Sequence, residues 1–230
     1  MSRTRKAMGP GSTLVIAAPR LDDAALSVVA SSAVAEDADL DGALIEAIDL
    51  SGRRMSGVAL RRCVLRSCAL TGSRWQSGSL VDVRFEGCEL SGAVFAGTEL
   101  RRVVISGGRA RGLVFDAVQA SDISLLDVTA PTLAIVESTV ERLLARGCDL
   151  TEAGVHGSTI DRSVLMDCDA TGFDVGGGRL AARITGTRLV GLRGVAGLAS
   201  SAIDHAGRLD LVDALAAHLG ITATVEHTDP

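Results

Sequence analysis

In the stretch Val58-Ala-Leu-Arg-Arg-Cys-Val-Leu-Arg-Ser-Cys-Ala-Leu-Thr-Gly-Ser-Arg-Trp-Gln-Ser-Gly-Ser-Leu80, large apolar residues stand five apart at Leu60, Leu65, Leu70, Trp75 and Leu80. Two places ahead of each sits a smaller residue: Val58, Cys63, Cys68, Ser73 and Gly78. Followed outward, the first spacing runs from Leu40 to Val175 without insertion or deletion, and all 28 positions are apolar. Charge avoids both phases. Residues 38–177 hold 14 Arg and 19 Asp or Glu, none in the first phase and only Arg53 in the second.

A helix does not produce this pattern, because a period of 3.6 drifts against one of five and would smear both faces. A strand does so locally: residues two apart point the same way and the one between them points out. Three outward residues then turn a corner. Gly collects two places after the large residue, at 13 of its 17 positions in this window, where left-handed torsions suit a residue without Cβ. Two inward residues in every five describe one wall of a square coil. Four walls take about 20 residues per turn, with successive turns paired as parallel strands about 4.8 Å apart. The register looks one residue short at 178–181 and resumes at Ala182-Arg-Ile-Thr-Gly186 and Thr187-Arg-Leu-Val-Gly191. That length predicts nearly eight coils, a rod of roughly 35–40 Å.

The units Ala38-Asp-Leu-Asp-Gly42, Cys88-Glu-Leu-Ser-Gly92 and Cys148-Asp-Leu-Thr-Glu152 resemble the A-(D/N)-L-x-x unit of the bacterial pentapeptide-repeat proteins. The resemblance covers about residues 38–191 and is degenerate at Ala110, Ala120 and Ala130. It implies an all-β fold, a right-handed quadrilateral parallel β-helix, with a short C-terminal capping α-helix. The expected organisation is an N-terminal extension and cap over 1–37, mobile over 1–12, then the solenoid over 38–194, then a capping helix and tail over 195–230. Residues 13–37 are expected to form a strand and a short helix or loop against the first coil. Leu209, Val212, Leu215, Ala216 and Leu219 form one helical stripe before Gly220. Such a stripe caps the open end of the solenoid, or alternatively joins two copies.

Composition agrees with a narrow interior. Apolar residues make up 47% but aromatics only 2%, with one Trp and no Tyr. The net charge of −5 and a single Lys, Lys6, leave no electrostatic footprint for nucleic acid, so direct nucleic-acid binding is not expected. Arg3, Arg5 and Lys6 precede an apolar run at 14–18 that is too short for a signal segment, and no stretch approaches a membrane span. The expected location is cytoplasmic, with no membrane partner.

No phosphate loop, dinucleotide fingerprint or nucleophile elbow is present. The five cysteines, Cys63, Cys68, Cys88, Cys148 and Cys168, all hold the small inward phase. There Cys acts as a compact hydrophobe, and stacked coils offer pairs in line rather than four converging ligands. His156, His205, His218 and His227 have no ligand spacing. No cofactor, metal or catalytic residue is therefore expected, and the chain reads as non-enzymatic.

Outward columns repeat every 20 residues. Arg62, Asp82, Arg102, Asp122, Arg142 and Arg162 form one, and alternating sign favours pairing between rungs. A second is apolar: Leu44, Val64, Val104, Leu144 and Val164, interrupted by Arg84 and Ser124, with Leu126 and Met166 beside it. Exposed apolar stripes usually have a partner. This column is the candidate interface, covered either by an N-terminal segment carrying Leu14, Val15 and Ile16 or by a second protomer. The resulting functional expectation is a protein-interaction or scaffold module that binds another protein or itself. Some members of the resembled family modulate a bacterial type II topoisomerase such as gyrase by imitating DNA. That role wants a continuous negative stripe. Here the acidic column of Asp49, Glu89, Asp149 and Asp169, with Glu152, is broken by Arg109 and Arg111.

Overall fold

Leu40, Leu60, Leu80 and Leu100 lie directly above one another, each paired to the next across parallel strands. The computed structural model describes residues 14–221 and is a parallel four-walled solenoid of about nine turns with a short helical region at its C-terminal end. Walls one and two are crossed by unbroken eight-residue strands, among them Ala59–Arg66, Ser79–Glu86, Glu99–Ser106 and Thr139–Arg146. Wall four is a six-stranded sheet of three-residue strands from Arg54–Ser56 to Gly154–His156. Wall three is a row of single bridges, Asp49 to Ala69, Ala69 to Glu89 and onward.

The count exceeds the sequence expectation because each end gains a rung that carries no five-residue spacing. Ser27–Val28 pairs below Ala43–Glu46, and Ala202–Ile203 pairs above Arg179–Thr185. The missing residue is also located. Ile160 pairs with Leu180, but Ser163 pairs with Ala182, so the short rung loses one residue at the corner between walls one and two. Beneath that deletion the Ser163 hydroxyl is buried and makes no hydrogen bond.

The bore holds every aromatic residue of the chain. Trp75, Phe95 and Phe115 stack along wall four with centroids 5.6 Å apart, and Phe85 meets Phe95 edge-on. The small inward phase accepts hydroxyls and thiols because each can donate to a carbonyl on the rung below. Ser158 Oγ reaches Ile135 O at 3.1 Å, and Cys68, Cys88 and Cys148 reach Ile45, Leu65 and Leu125 carbonyls at 3.3–3.4 Å. These buried groups thus keep their hydrogen bonds. Higher up, Ala145 and Gly154 leave an apolar cavity of about 30 Å³ between Ile135, Leu165 and Phe173. That is water-sized, and with only apolar lining it stays dry.

Corners take left-handed torsions at Gly and non-Gly residues alike. Gly52, Gly72, Gly92 and Gly112 take left-handed torsions between walls three and four. Between walls one and two the same torsion is held by Arg62, Asp82, Arg102, Asp122, Arg142 and Arg162, with φ from 51° to 66°. Non-glycine residues adopt this region at a cost, so something must hold them there.

The ends close differently. Val34 is fully buried at the lower end, and Leu198 and Leu211 are buried at the upper end. Two short helices, α1 (His205–Asp210) and α2 (Val212–His218), follow the last rung. Their acids satisfy the exposed sheet edge: Asp204 accepts from Gly186 N at 2.7 Å and Asp210 from Leu189 N at 2.8 Å. Among the described residues no helix is long and apolar enough to cross a membrane.

Candidate interaction surfaces

On wall two, a segment from the N-terminal side runs up the outside of the coil. Val29 N donates to Leu44 O at 3.0 Å and Ser27 N to Gly42 O at 2.8 Å. Asp23 pairs with Arg84 at 2.7 Å, Arg20 N donates to Asp82 Oδ1 at 2.8 Å, and Ala17 N donates to Asp122 Oδ1 at 3.0 Å. This strap therefore climbs from the first rung to that of Asp122. Ile16, Pro19, Leu21 and Leu26 are half-buried, whereas Val15 is 74% exposed, so the strap has an inner and an outer side. The expected mobility of residues 1–12 falls outside the described residues.

The candidate column divides under it. Val64 points outward yet has no exposed surface, while Leu44, Val104, Leu144 and Val164 are half-buried. Leu144 and Val164 belong to the rungs above Asp122.

Asp82 and Asp122 serve two partners each. The guanidinium one rung above grips both oxygens: Arg102 Nε and Nη2 at 2.5 and 2.6 Å from Asp82, and Arg142 Nε and Nη2 at 2.6 and 2.8 Å from Asp122. The same carboxylates accept the strap's main-chain N–H. Both aspartates are buried, and the Arg hydrogen bond, reinforced by the strap amide, holds each carboxyl below its ordinary range. The charged column pairs elsewhere too, Arg62 with Asp41 and Arg162 with Glu141. Sequence reading found the ladder but not the hooks. The available signal was the recurrence of Asp, rather than Arg, at alternate corners.

The C-terminal helices turn most of their apolar stripe outward. Leu209, Val212, Leu215 and Leu219 are 59, 56, 45 and 70% exposed, and Ile221 is exposed beside them. The chain breaks between α1 and α2 at Leu211, and it is Leu211 that turns inward. Gly207 sets α1 against the last coil: a Cβ there would lie 2.8 Å from Ile203 Cγ2 and 3.4 Å from Leu189 Cδ1. The helix docks on its small face, and the large apolar face is left outside.

Wall four carries a milder apolar strip that column reading did not pick out, with Val94, Val114 and Val136 half-buried on the outside of the sheet. Repeating the wall-two reading two walls further along would have found it. Wall three offers little free charge. Asp149 and Asp169 accept from the amides and hydroxyls of Thr151 and Thr171, which lowers the Asp169 carboxyl. Arg109 stands 3.8 Å from Glu89, and Arg188 stands 3.8 Å from Asp169.

The cysteines are all free and buried. Burial pushes the Cys63 thiol up, and a neighbouring thiol followed by burial does the same for Cys88 and Cys148. Among the described residues no group of three His, Cys, Asp or Glu side chains could hold a metal ion.

A family model described as pentapeptide repeats (8 copies) matches residues 79–112. No curated protein matches the chain. Among solved structures, a trypsin-treated variant of QnrB1, a plasmid-mediated fluoroquinolone resistance protein, is 12% identical. It covers 79% of this chain and 99% of its own, with a TM-score of 0.41. HetL, a pentapeptide-repeat protein involved in heterocyst differentiation regulation from the cyanobacterium Nostoc sp. strain PCC 7120, is 16% identical. It covers 72% of this chain and 86% of its own, with a TM-score of 0.35. With its unbroken spacing of five, the four-walled coil that spacing builds, and a family model matched within it, the chain is folded as a pentapeptide-repeat solenoid.

Proposed function

We propose that this solenoid is a non-catalytic protein-interaction module whose main contact is with a second copy of itself, made end to end through the C-terminal helices. The observation that carries this reading is the outward apolar stripe of Leu209, Val212, Leu215 and Leu219 on α1 and α2. Along walls one and two, corner charges such as Asp82 with Arg102 and Asp122 with Arg142 pair between rungs. A cluster of large apolar side chains on a soluble surface favours burial against a partner, and a helical stripe at one end of a rod suits a closed two-fold contact. Among the described residues, the apolar cavity in the bore between Ile135, Leu165 and Phe173 is only water-sized.

Light scattering after gel filtration tests the reading. The wild-type protein is expected at twice the chain mass of 23.6 kDa. Leu209→Glu with Leu215→Glu should elute at the single-chain mass with an unchanged β-type circular dichroism spectrum. A wild-type protein that stays at the single-chain mass up to about 100 μM, above the micromolar range of ordinary specific contacts, overturns it. DNA mimicry has less support, because the wall-three carboxylates are engaged by neighbouring Thr and Arg groups.

A further inference from the structure

The strap is held unlike any other part of the chain. Among the described residues between Leu14 and Leu21, only two main-chain N–H groups, those of Ala17 and Arg20, are hydrogen-bonded to protein. No strand ladder forms there. By contrast the wall beneath is continuous sheet, and both acceptors are preset. Asp82 and Asp122 are fixed at left-handed corners and clamped from above by Arg102 and Arg142. They stand two rungs apart, about 9.6 Å at the spacing of parallel strands, which matches about 10 Å for three residues of extended chain. Between the rungs where the strap meets Leu44 and Arg84 lies Val64, an outward apolar residue with no remaining exposure.

This arrangement reads a peptide rather than a particular side chain. Each carboxylate is already neutralised by its Arg, so it selects for a main-chain N–H and not for a cation. Two donors three residues apart set the register, and the half-buried Ile16, Pro19 and Leu21 around them are apolar. A segment with so few bonds opens locally at small cost compared with the rungs under it. We infer that wall two is a binding site for an extended apolar peptide of a partner protein, recognised through main-chain N–H groups three residues apart, with residues 14–23 as its resident and displaceable occupant. The site is separate from the C-terminal stripe and does not depend on the end-to-end contact.

Ala17→Pro with Arg20→Pro in the full-length chain removes both donors and leaves the coil untouched. A labelled peptide of residues 14–24 is then titrated by fluorescence anisotropy. The double-proline protein should bind it at least tenfold tighter than wild type does. Binding should be lost when the peptide itself carries the two prolines, or when Asp82→Ala and Asp122→Ala, which remove both acceptors, are added to the protein. Equal binding to wild-type and double-proline protein overturns the inference, as does equal binding of the proline peptide. Loss of a wild-type dimer on introducing the prolines also overturns it, because the strap would then belong to a second copy. Hydrogen exchange on unmodified protein gives a reading independent of variant folding. Strap amides should exchange at least a hundredfold faster than those of Ser79–Glu86, with Ala17 and Arg20 the slowest among them. Protection equal to that of the rungs would mean a permanent cover and no site.

Discussion

Asp82 and Asp122 show how much one residue can carry in a repeating fold. Each occupies a left-handed corner, a region that Asp tolerates better than most non-glycine residues, and each turns its carboxylate outward to an Arg and a strap amide. Their pH dependence follows from those partners. Asp82 faces Arg102 and the Arg20 amide, with the Arg20 charge nearby; Asp122 faces Arg142 and the Ala17 amide, with Arg102 nearby. Both carboxyl groups are depressed in the folded state, so their contribution is fully present above the unfolded value of about 3.9. It is lost as pH falls through the lower folded value. Protection factors for the Ala17 and Arg20 amides should therefore hold from about pH 8 to 5 and collapse only below about pH 4. A midpoint near neutrality would mean that some other group holds the strap.

Ser163 gives a second prediction at this scale. Its hydroxyl is buried with no partner under the short rung, and an unsatisfied buried hydroxyl costs about 1–3 kcal/mol. Ser163→Ala should raise stability in urea unfolding by about 1 kcal/mol. A loss of stability would place a hidden partner, such as a bridging water, on that oxygen.

Among the elements, the strands and the bore were legible in the sequence, whereas the corners and ends were legible only in part. Leu60, Leu80 and Leu100 stack because an apolar side chain every five residues has only one dry direction available. The Trp75, Phe95 and Phe115 stack on wall four follows from the same rule and concentrates the largest side chains in one column. Phe95→Ala removes the middle ring and should cost about 3–5 kcal/mol in chemical denaturation. A cost under about 1 kcal/mol would show that the column collapses freely around the gap. What the letters could not show was which face of a helix docks. The stripe through Leu209 and Leu215 has the right period for a cap, but the chain breaks at Leu211 and Gly207 brings the other face against Ile203 and Leu189. Period gives a stripe; it does not give the partner. The strap was half legible: an apolar cover for Leu44 and Val64 was foreseeable, but its attachment through two aspartates was not, because main-chain donors leave no mark in the sequence.

At the scale of the whole molecule, repetition makes a rod in which each rung touches only its neighbours, and specificity must come from what breaks the repetition. Three interruptions stand out here: the strap on wall two, the one-residue deletion at the upper corner, and the helices at the end. The first and last present apolar surface, and they do so in different directions. A rod of about nine turns is roughly 45 Å long at the parallel-strand spacing. Joining two copies through α1 and α2 should nearly double that, whereas a contact along any wall would not. Small-angle X-ray scattering of the wild-type protein measures this directly. The end-to-end contact predicts a maximum dimension of roughly 90–100 Å for a two-chain particle. A two-chain particle of roughly 50–60 Å would contradict it, since that length belongs to rods lying side by side.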